Sequence, residues 1–319
     1  MPGIKLSTEE GYINHYYDWG TSERTERYML HAGWCPSAIA KVRKELDCLL
    51  YAASLRSPST EKDHSRCTKR SCVANQINKE IYQIRHVSNN CQCVSWKPDE
   101  ERILEIIKDG GVPLVCFPVD WPADSESLVL EVIRYQPGQQ YVAISHVWAD
   151  GLGNPYENAL PAFQIWNLWR TICSMYTTVF DNFGIKYMWV KPFLRPPFLC
   201  PDKVVPFWID TLCVPVIPSL QNYRREAIRR MRQTYIQADK VLMLDDDLSH
   251  VSRALRMSKE ARLEFSFRMY LSGWYSRLWT LQEGKLARDA WFRIKDATLP
   301  AKVLYSNLAL DKNGSMHRI

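Results

Sequence analysis

Between His64 and Cys93 the chain places four thiols and two imidazoles, as His64-x2-Cys67-x4-Cys72 and His86-x4-Cys91-x-Cys93. Zinc favours four nitrogen or sulfur donors in a tetrahedron, and two close ligand pairs joined by a linker can supply them. The expected ligand set is Cys67, Cys72, Cys91 and either Cys93 or His86. Such a zinc would be structural, because a full set of protein donors leaves no vertex for substrate. The competing reading makes these cysteines small buried hydrophobes. Ser145-His146 is not read as a hydrolase dyad. Neighbours on a strand point to opposite faces, and no Gly-x-Ser-x-Gly elbow accompanies the pair. Gly151-Leu152-Gly153 lacks the third glycine of a dinucleotide fingerprint and reads as a tight turn. Arg224, Arg225, Arg229, Arg230 and Arg232 read as a solvated helix face rather than a nucleic-acid surface. Asp245-Asp246-Asp247 reads as an acidic turn after a strand.

These residues need elements to position them. Tyr141 to Val147 is apolar on both faces, as a strand covered on both sides of a parallel sheet should be. Phe207-Trp-Ile-Asp-Thr-Leu-Cys213 and Val241-Leu-Met-Leu244 read as two further strands. Helices are expected over Ala38 to Leu55, Glu100 to Lys108, Pro161 to Phe180, Gln221 to Ala238, Arg253 to Tyr270 and Arg277 to Arg288, on apolar periodicity and stop signals. Residues 1–32, with Tyr12, Tyr16, Tyr17 and Trp19, read as an irregular arm. Strand–helix alternation in the second half implies an α/β fold with a mostly parallel sheet flanked by helices. The expected divisions are a helical and Cys/His-rich region over 1–130, a main domain over 131–290 and a tail over 291–319, with a soft boundary near Pro118–Ser127.

Composition narrows the class. Of 319 residues, 46% are hydrophobic and 12% aromatic, enough for a substantial core and against general disorder. No apolar run is long enough to span a membrane, and the first residues do not form a secretory signal. Ten cysteines without such a signal point to a reducing, cytoplasmic setting. A net charge of +6 is too small for a nucleic-acid footprint.

Three blocks carry a resemblance: Tyr141-Val-Ala-Ile-Ser-His-Val-Trp148, Phe207-Trp-Ile-Asp-Thr-Leu-Cys213 and Trp274-Tyr-Ser-Arg-Leu-Trp-Thr-Leu-Gln-Glu283. In order and spacing they resemble the signature blocks of the heterokaryon-incompatibility (HET) domain of filamentous fungi, over about residues 131–290. The helix carrying Ala227-Ile-Arg-Arg-Met231, Tyr235 and Ala238-Asp239 is similar to the family pattern too. The cysteine segment looks like the leader of some members. Val214-Pro215-Val216 departs from it, standing where many members carry Ile-Asn-Gln.

The resemblance implies a TIR-like fold of the flavodoxin-like type and a role in nonself recognition and programmed cell death. It implies self-association and an incompatibility partner protein. TIR enzymes cleave the nicotinamide–ribose bond, so NAD is the implied substrate. Glu283 is then the implied catalytic carboxylate, on a Trp-x-x-x-Glu spacing one residue longer than the TIR pattern. A carboxylate there would stabilise, or attack, the oxocarbenium-like ribose. Asp210 would stand near the carboxyl end of a central strand, where open α/β sheets place their ligand crevice. Ser145, His146 and Trp148 would share that edge, with Trp279 stacking on a flat ring and Arg277 holding a phosphate. The bland alternatives stay open: Glu283 pairing with Arg277 or Lys285 on a solvated helix, Asp210 capping a helix or pairing with an arginine, and the tryptophans serving as core.

Overall fold

The computed structural model describes residues 21–46, 48–55, 62–86, 88, 90–117, 128–177, 205–251, 259–295 and 297–302. Residues up to Cys72 form one unit and residues from Val73 onward form another. No helix among the described residues is long and apolar enough to cross a membrane.

The first unit is short and helical. It contains α1 (Thr21–His31), α2 (Pro36–Lys41), a π-helical turn over Val42–Leu46 and α3 (Leu49–Ser54). Helix α1 overturns the irregular arm expected there. Glu23 in its first turn and His31 in its last complement the helix dipole, while Met29, Trp34, Ile39 and Val42 are all buried. Tyr12, Tyr16, Tyr17 and Trp19 lie outside the described residues. The single helix expected from Ala38 to Leu55 is instead broken. Pro36 opens α2, where its missing N–H costs nothing, but the chain widens into the π turn. It then leaves helical geometry at Cys48, whose ψ is 39°. A π turn adds a residue per turn, so the 3.6-residue period does not carry through.

The second unit holds two sheets. Its strands are β1 (Ser95–Pro98), β2 (Pro113–Val115), β3 (Val129–Leu130), β4 (Val132–Arg134), β5 (Val142–His146), β6 (Leu160–Pro161), β7 (Phe207–Trp208), β8 (Lys240–Leu244), β9 (Ala290–Ile294) and β10 (Ala297–Pro300). Its helices are α4 (Glu100–Lys108), α5 (Ala162–Thr177), α6 (Asp210–Cys213), α7 (Gln221–Gln237), α8 (Asp246–Ser249), α9 (Lys259–Leu271) and α10 (Leu278–Leu286). Among the described residues, one sheet runs β10-β9-β8-β5-β7-β2-β4 and a small one runs β3-β1-β6.

The fold is α/β, but the large sheet is mixed rather than mostly parallel. Its centre, β9-β8-β5-β7, is parallel. Its two flanks, β10 against β9 and β2 against both β7 and β4, are antiparallel. Parallel neighbours need long crossovers, which the helices supply, whereas β9 ends at Ile294 and β10 begins at Ala297, too short a separation for anything but the antiparallel arrangement. The flanks also redraw the expected divisions. Strand β2, from the stretch assigned to the N-terminal region, and β4, from the start of the expected main domain, complete one side of the large sheet. Strands β9 and β10 extend past residue 290 into the expected tail.

Strand β5 occupies the middle of the sheet, and all five of its residues are buried. Apolar side chains on both faces allow this, each fully buried Val or Ile contributing about 1.5–3 kcal/mol. Helix α10 packs on β5 and on α7. Only at its last two positions does the strand carry polar side chains, Ser145 and His146.

Candidate functional site

At the carboxyl end of β5 two hydrogen-bonded couples form, one from each face of the strand. Ser145 Oγ donates to Glu283 Oε2 at 2.5 Å, and Trp274 Nε1 donates to Ser145 Oγ at 2.7 Å. Tyr235, on α7, donates its hydroxyl to the Ile144 carbonyl at 3.2 Å. Trp274 reaches this position because α10 presents a glycine to it. A Cβ on Gly284 would lie 2.5 Å from Trp274 Cη2 and 2.9 Å from Met243 Cε. The Trp274 backbone N–H is held in turn by Asp245 Oδ2 at 2.9 Å.

The second couple is His146 Nε2 with Asp210 Oδ1, 2.8 Å apart. Asp210 also accepts from Trp148 Nε1 at 2.7 Å and from the Thr211 backbone N–H at 2.7 Å. Strand β7 ends at Trp208, two residues before Asp210 and earlier than expected. Asp210 therefore opens the helical turn α6 instead of lying within a strand. His146 Nδ1 is buried and has no hydrogen-bond partner among the described residues.

The two carboxyls are tuned in opposite directions. Burial pushes Glu283 up to about 7, the nearby charge of Asp210 adds to the rise, and the Ser145 hydrogen bond opposes it. Burial pushes on Asp210 in the same sense, but His146, Trp148 and the Thr211 N–H together hold it below its ordinary value. One carboxyl thus sits at the edge of ionisation near neutral pH while its neighbour is fully charged. Such a split separates acid–base roles between neighbouring carboxyl groups.

No protein-family model matches this chain, and comparisons with curated proteins and with solved structures find no match. The site's chemistry rests on its own geometry.

Of the residues singled out in the sequence, Ser145, His146, Trp148, Asp210 and Glu283 meet at this end of the sheet. Glu283 is only 8% exposed, so it is not an ion-pairing residue on a solvated helix. Arg277 stands at the N-cap position of α10 without a side-chain cap, and it donates to the Asn75 carbonyl at 3.4 Å. Trp279 is 57% exposed and stands outside the hydrogen-bonded network, despite its i, i+4 spacing from Glu283. Trp274 and Tyr235 were not picked out as site residues, since an aromatic at helical or strand spacing reads as core. A polar partner for each ring was the missing signal, and it depends on distant chain segments. The acidic turn is accounted for in part: Asp245 caps α8 and Asp246 pairs with Arg85 at 2.7 Å.

The sulfur and imidazole donors gather into two groups rather than one. Cys67 and Cys72 join Cys35 and His64, while His86 joins Cys91 and Cys93. The expected mixed set, with ligands from both ends of the segment, is therefore not the arrangement found. Within the first group Cys67 Sγ lies 3.7 Å from Cys72 Sγ, and His64 Nδ1 lies 3.5 Å from Cys67 Sγ and 3.7 Å from Cys72 Sγ. A tetrahedron with ordinary zinc bond lengths has sulfur–sulfur edges of roughly 3.7 Å and sulfur–nitrogen edges of roughly 3.5 Å. These four residues can hold a metal ion. Cys35 went unrecognised because it precedes His64 by a whole helical segment; it sits at the N-cap of α2, and spacing arguments register only local pairs.

Proposed function

We propose that this chain is a HET-type protein of fungal nonself recognition and cell death, and that Glu283 and Asp210 cleave the nicotinamide–ribose bond of NAD. The observation that carries this reading is the unlike pair of carboxyls at the strand ends. A carboxyl poised near neutrality suits general-base catalysis, and a permanently charged neighbour suits a developing cation. In the balanced step, the C–N bond breaks and its electron pair leaves with nicotinamide, now neutral. Water adds to the ribose carbon, and its proton passes to Glu283. Ser145 positions Glu283, while His146 and Trp148 position Asp210. Trp279 offers an exposed ring for a flat base, and Arg277 a guanidinium for a phosphate.

The test is nicotinamide release from NAD by the purified chain over a range of protein concentrations, since self-association is part of the proposal. Glu283→Gln should lower release about 10²–10⁴-fold with the fold intact. No release at any concentration overturns the catalytic reading. A second reading, a non-catalytic module that signals by self-association, draws on a different observation. Ser145, His146 and Glu283 are all buried, as in a network that only holds a fold together, while Leu278 and Trp279 at the start of α10 are 77% and 57% exposed. Cell death that persists in Glu283→Gln favours it.

Zinc fits the donors of the first unit. Cys35, His64, Cys67 and Cys72 would complete its tetrahedron, so the ion would be structural. For a segment with so few buried apolar residues, such an ion supplies folding free energy directly.

A further inference from the structure

We propose that His86, Cys91 and Cys93 hold a second metal ion, independent of the one in the first unit and of any NAD chemistry. Their donor atoms all lie within 4.8 Å of one another. His86 Nδ1 stands 3.5 Å from Cys93 Sγ, the sulfur–nitrogen edge expected of a zinc tetrahedron, roughly 3.5 Å. Two thiolates and an imidazole are a donor set suited to zinc.

The backbone on both sides of the group is fixed. Before His86, the Arg85 N–H donates to the Gly151 carbonyl at 2.9 Å, and the Arg85 carbonyl accepts from Gln164 Nε2 at 2.8 Å. The Arg85 side chain reaches Asp246. One residue further back, Ile84 packs on the main core. After Cys93, the Val94 carbonyl accepts from the Ala162 N–H at 2.9 Å, and β1 begins its pairing with β6. Between these anchors a turn closed by the Cys91 N–H on the Ser88 carbonyl brings the second ligand round. Cys91 and Cys93, two apart on an extended chain, can present their sulfurs to one side.

A further observation points to a bound cation. Cys93 itself packs against the main core, close to where the sixteen-residue helix α5 begins. The described part of the stretch from Val73 to Cys93 contains no helix or strand, and connections of that length without secondary structure are uncommon in a folded domain unless something ties them down. A metal crosslink through its far end would do so. Three protein donors leave one tetrahedral vertex for a water molecule, which distinguishes this centre from the four-donor group.

Metal analysis of chelator-free protein tests this. Wild type should carry two zinc ions per chain, the double variant Cys91→Ser/Cys93→Ser one, and Cys67→Ser one. Loaded with cobalt(II), wild type and Cys67→Ser should change their visible spectra on adding azide, which enters the water position; the double variant should not. Two zinc ions retained in the double variant would overturn the proposal, as would cobalt spectra that azide leaves untouched. If the double variant fails to fold, the wild-type titration decides: saturation with cobalt without an azide-sensitive band overturns it.

Discussion

Replacing Glu283 with glutamine exchanges a titrating carboxyl for a neutral amide of the same shape, and the Ser145 hydroxyl can still donate to the remaining carbonyl oxygen. The consequence for stability depends on pH. Below about pH 4.5 the wild-type carboxyl is protonated in both the folded and the unfolded chain. Between 4.5 and about 7 the unfolded chain ionises while the folded one keeps its proton. Unfolding therefore releases a proton, and rising pH destabilises the wild type by this group alone. At about 1.4 kcal/mol per unit, the span from 4.5 to about 7 amounts to about 3 kcal/mol. The group is only 8% exposed, so solvent screening takes little from that figure. Urea titrations of both proteins, in half-unit steps from pH 4.5 to 8.5, give the difference in unfolding free energy, in which groups common to both cancel. Relative to wild type, Glu283→Gln should gain about 3 kcal/mol across this window and stay level above it. Any fixed cost of the amide shifts the whole curve without changing its slope. A difference that does not vary with pH would refute the reasoning, since it would mean that the folded carboxyl titrates like a solvated one.

Two further substitutions probe the same centre. Gly284→Ala places a methyl 2.5 Å from Trp274 Cη2, and that ring cannot retreat without losing its bond to Ser145. The expected cost is about 1–3 kcal/mol, read as a lower melting temperature with a change in near-ultraviolet circular dichroism. Trp148→Phe removes one donor from charged Asp210, a loss of about 1.5–3 kcal/mol. Asp210 is held below its ordinary value, so its contribution is present above 3.8 and fades as pH falls through the folded value. The variant should unfold in acid at a higher pH than wild type; an unchanged acid midpoint contradicts the assignment.

Much of the centre was legible because chemistry and local pattern coincide. A strand apolar on both faces that turns polar at its last two residues marks a sheet edge, and Ser145-His146 sits there. The rejection of a Ser145–His146 dyad rested on strand alternation and the missing Gly-x-Ser-x-Gly elbow, and the two side chains do take different carboxyl partners. Glu283 was legible as a candidate but not as a buried residue, since its depth comes from the Gly284–Trp274 contact. The mixed sheet was hidden for a similar reason. Strands β2 and β4 have three residues each, and the pairing of β2 with both β7 and β4 is decided by tertiary packing, which no local period records. The metal donors divide into two groups because folding brings Cys35 to His64, and a scan of spacings cannot see that approach.

Strand β5 pairs with β8 over five positions, from Val142 opposite Lys240 to His146 opposite Leu244. A slip of one residue along that ladder would exchange the two faces, turning His146 toward Glu283 and Ser145 toward Asp210. Both carboxyls would lose their fitted partners together. The ladder thus works as an alignment gauge: a single inserted or deleted residue within 142–146 should silence the centre even where the sheet re-forms, whereas a length change in a peripheral turn such as the one at Gly138 leaves the gauge untouched.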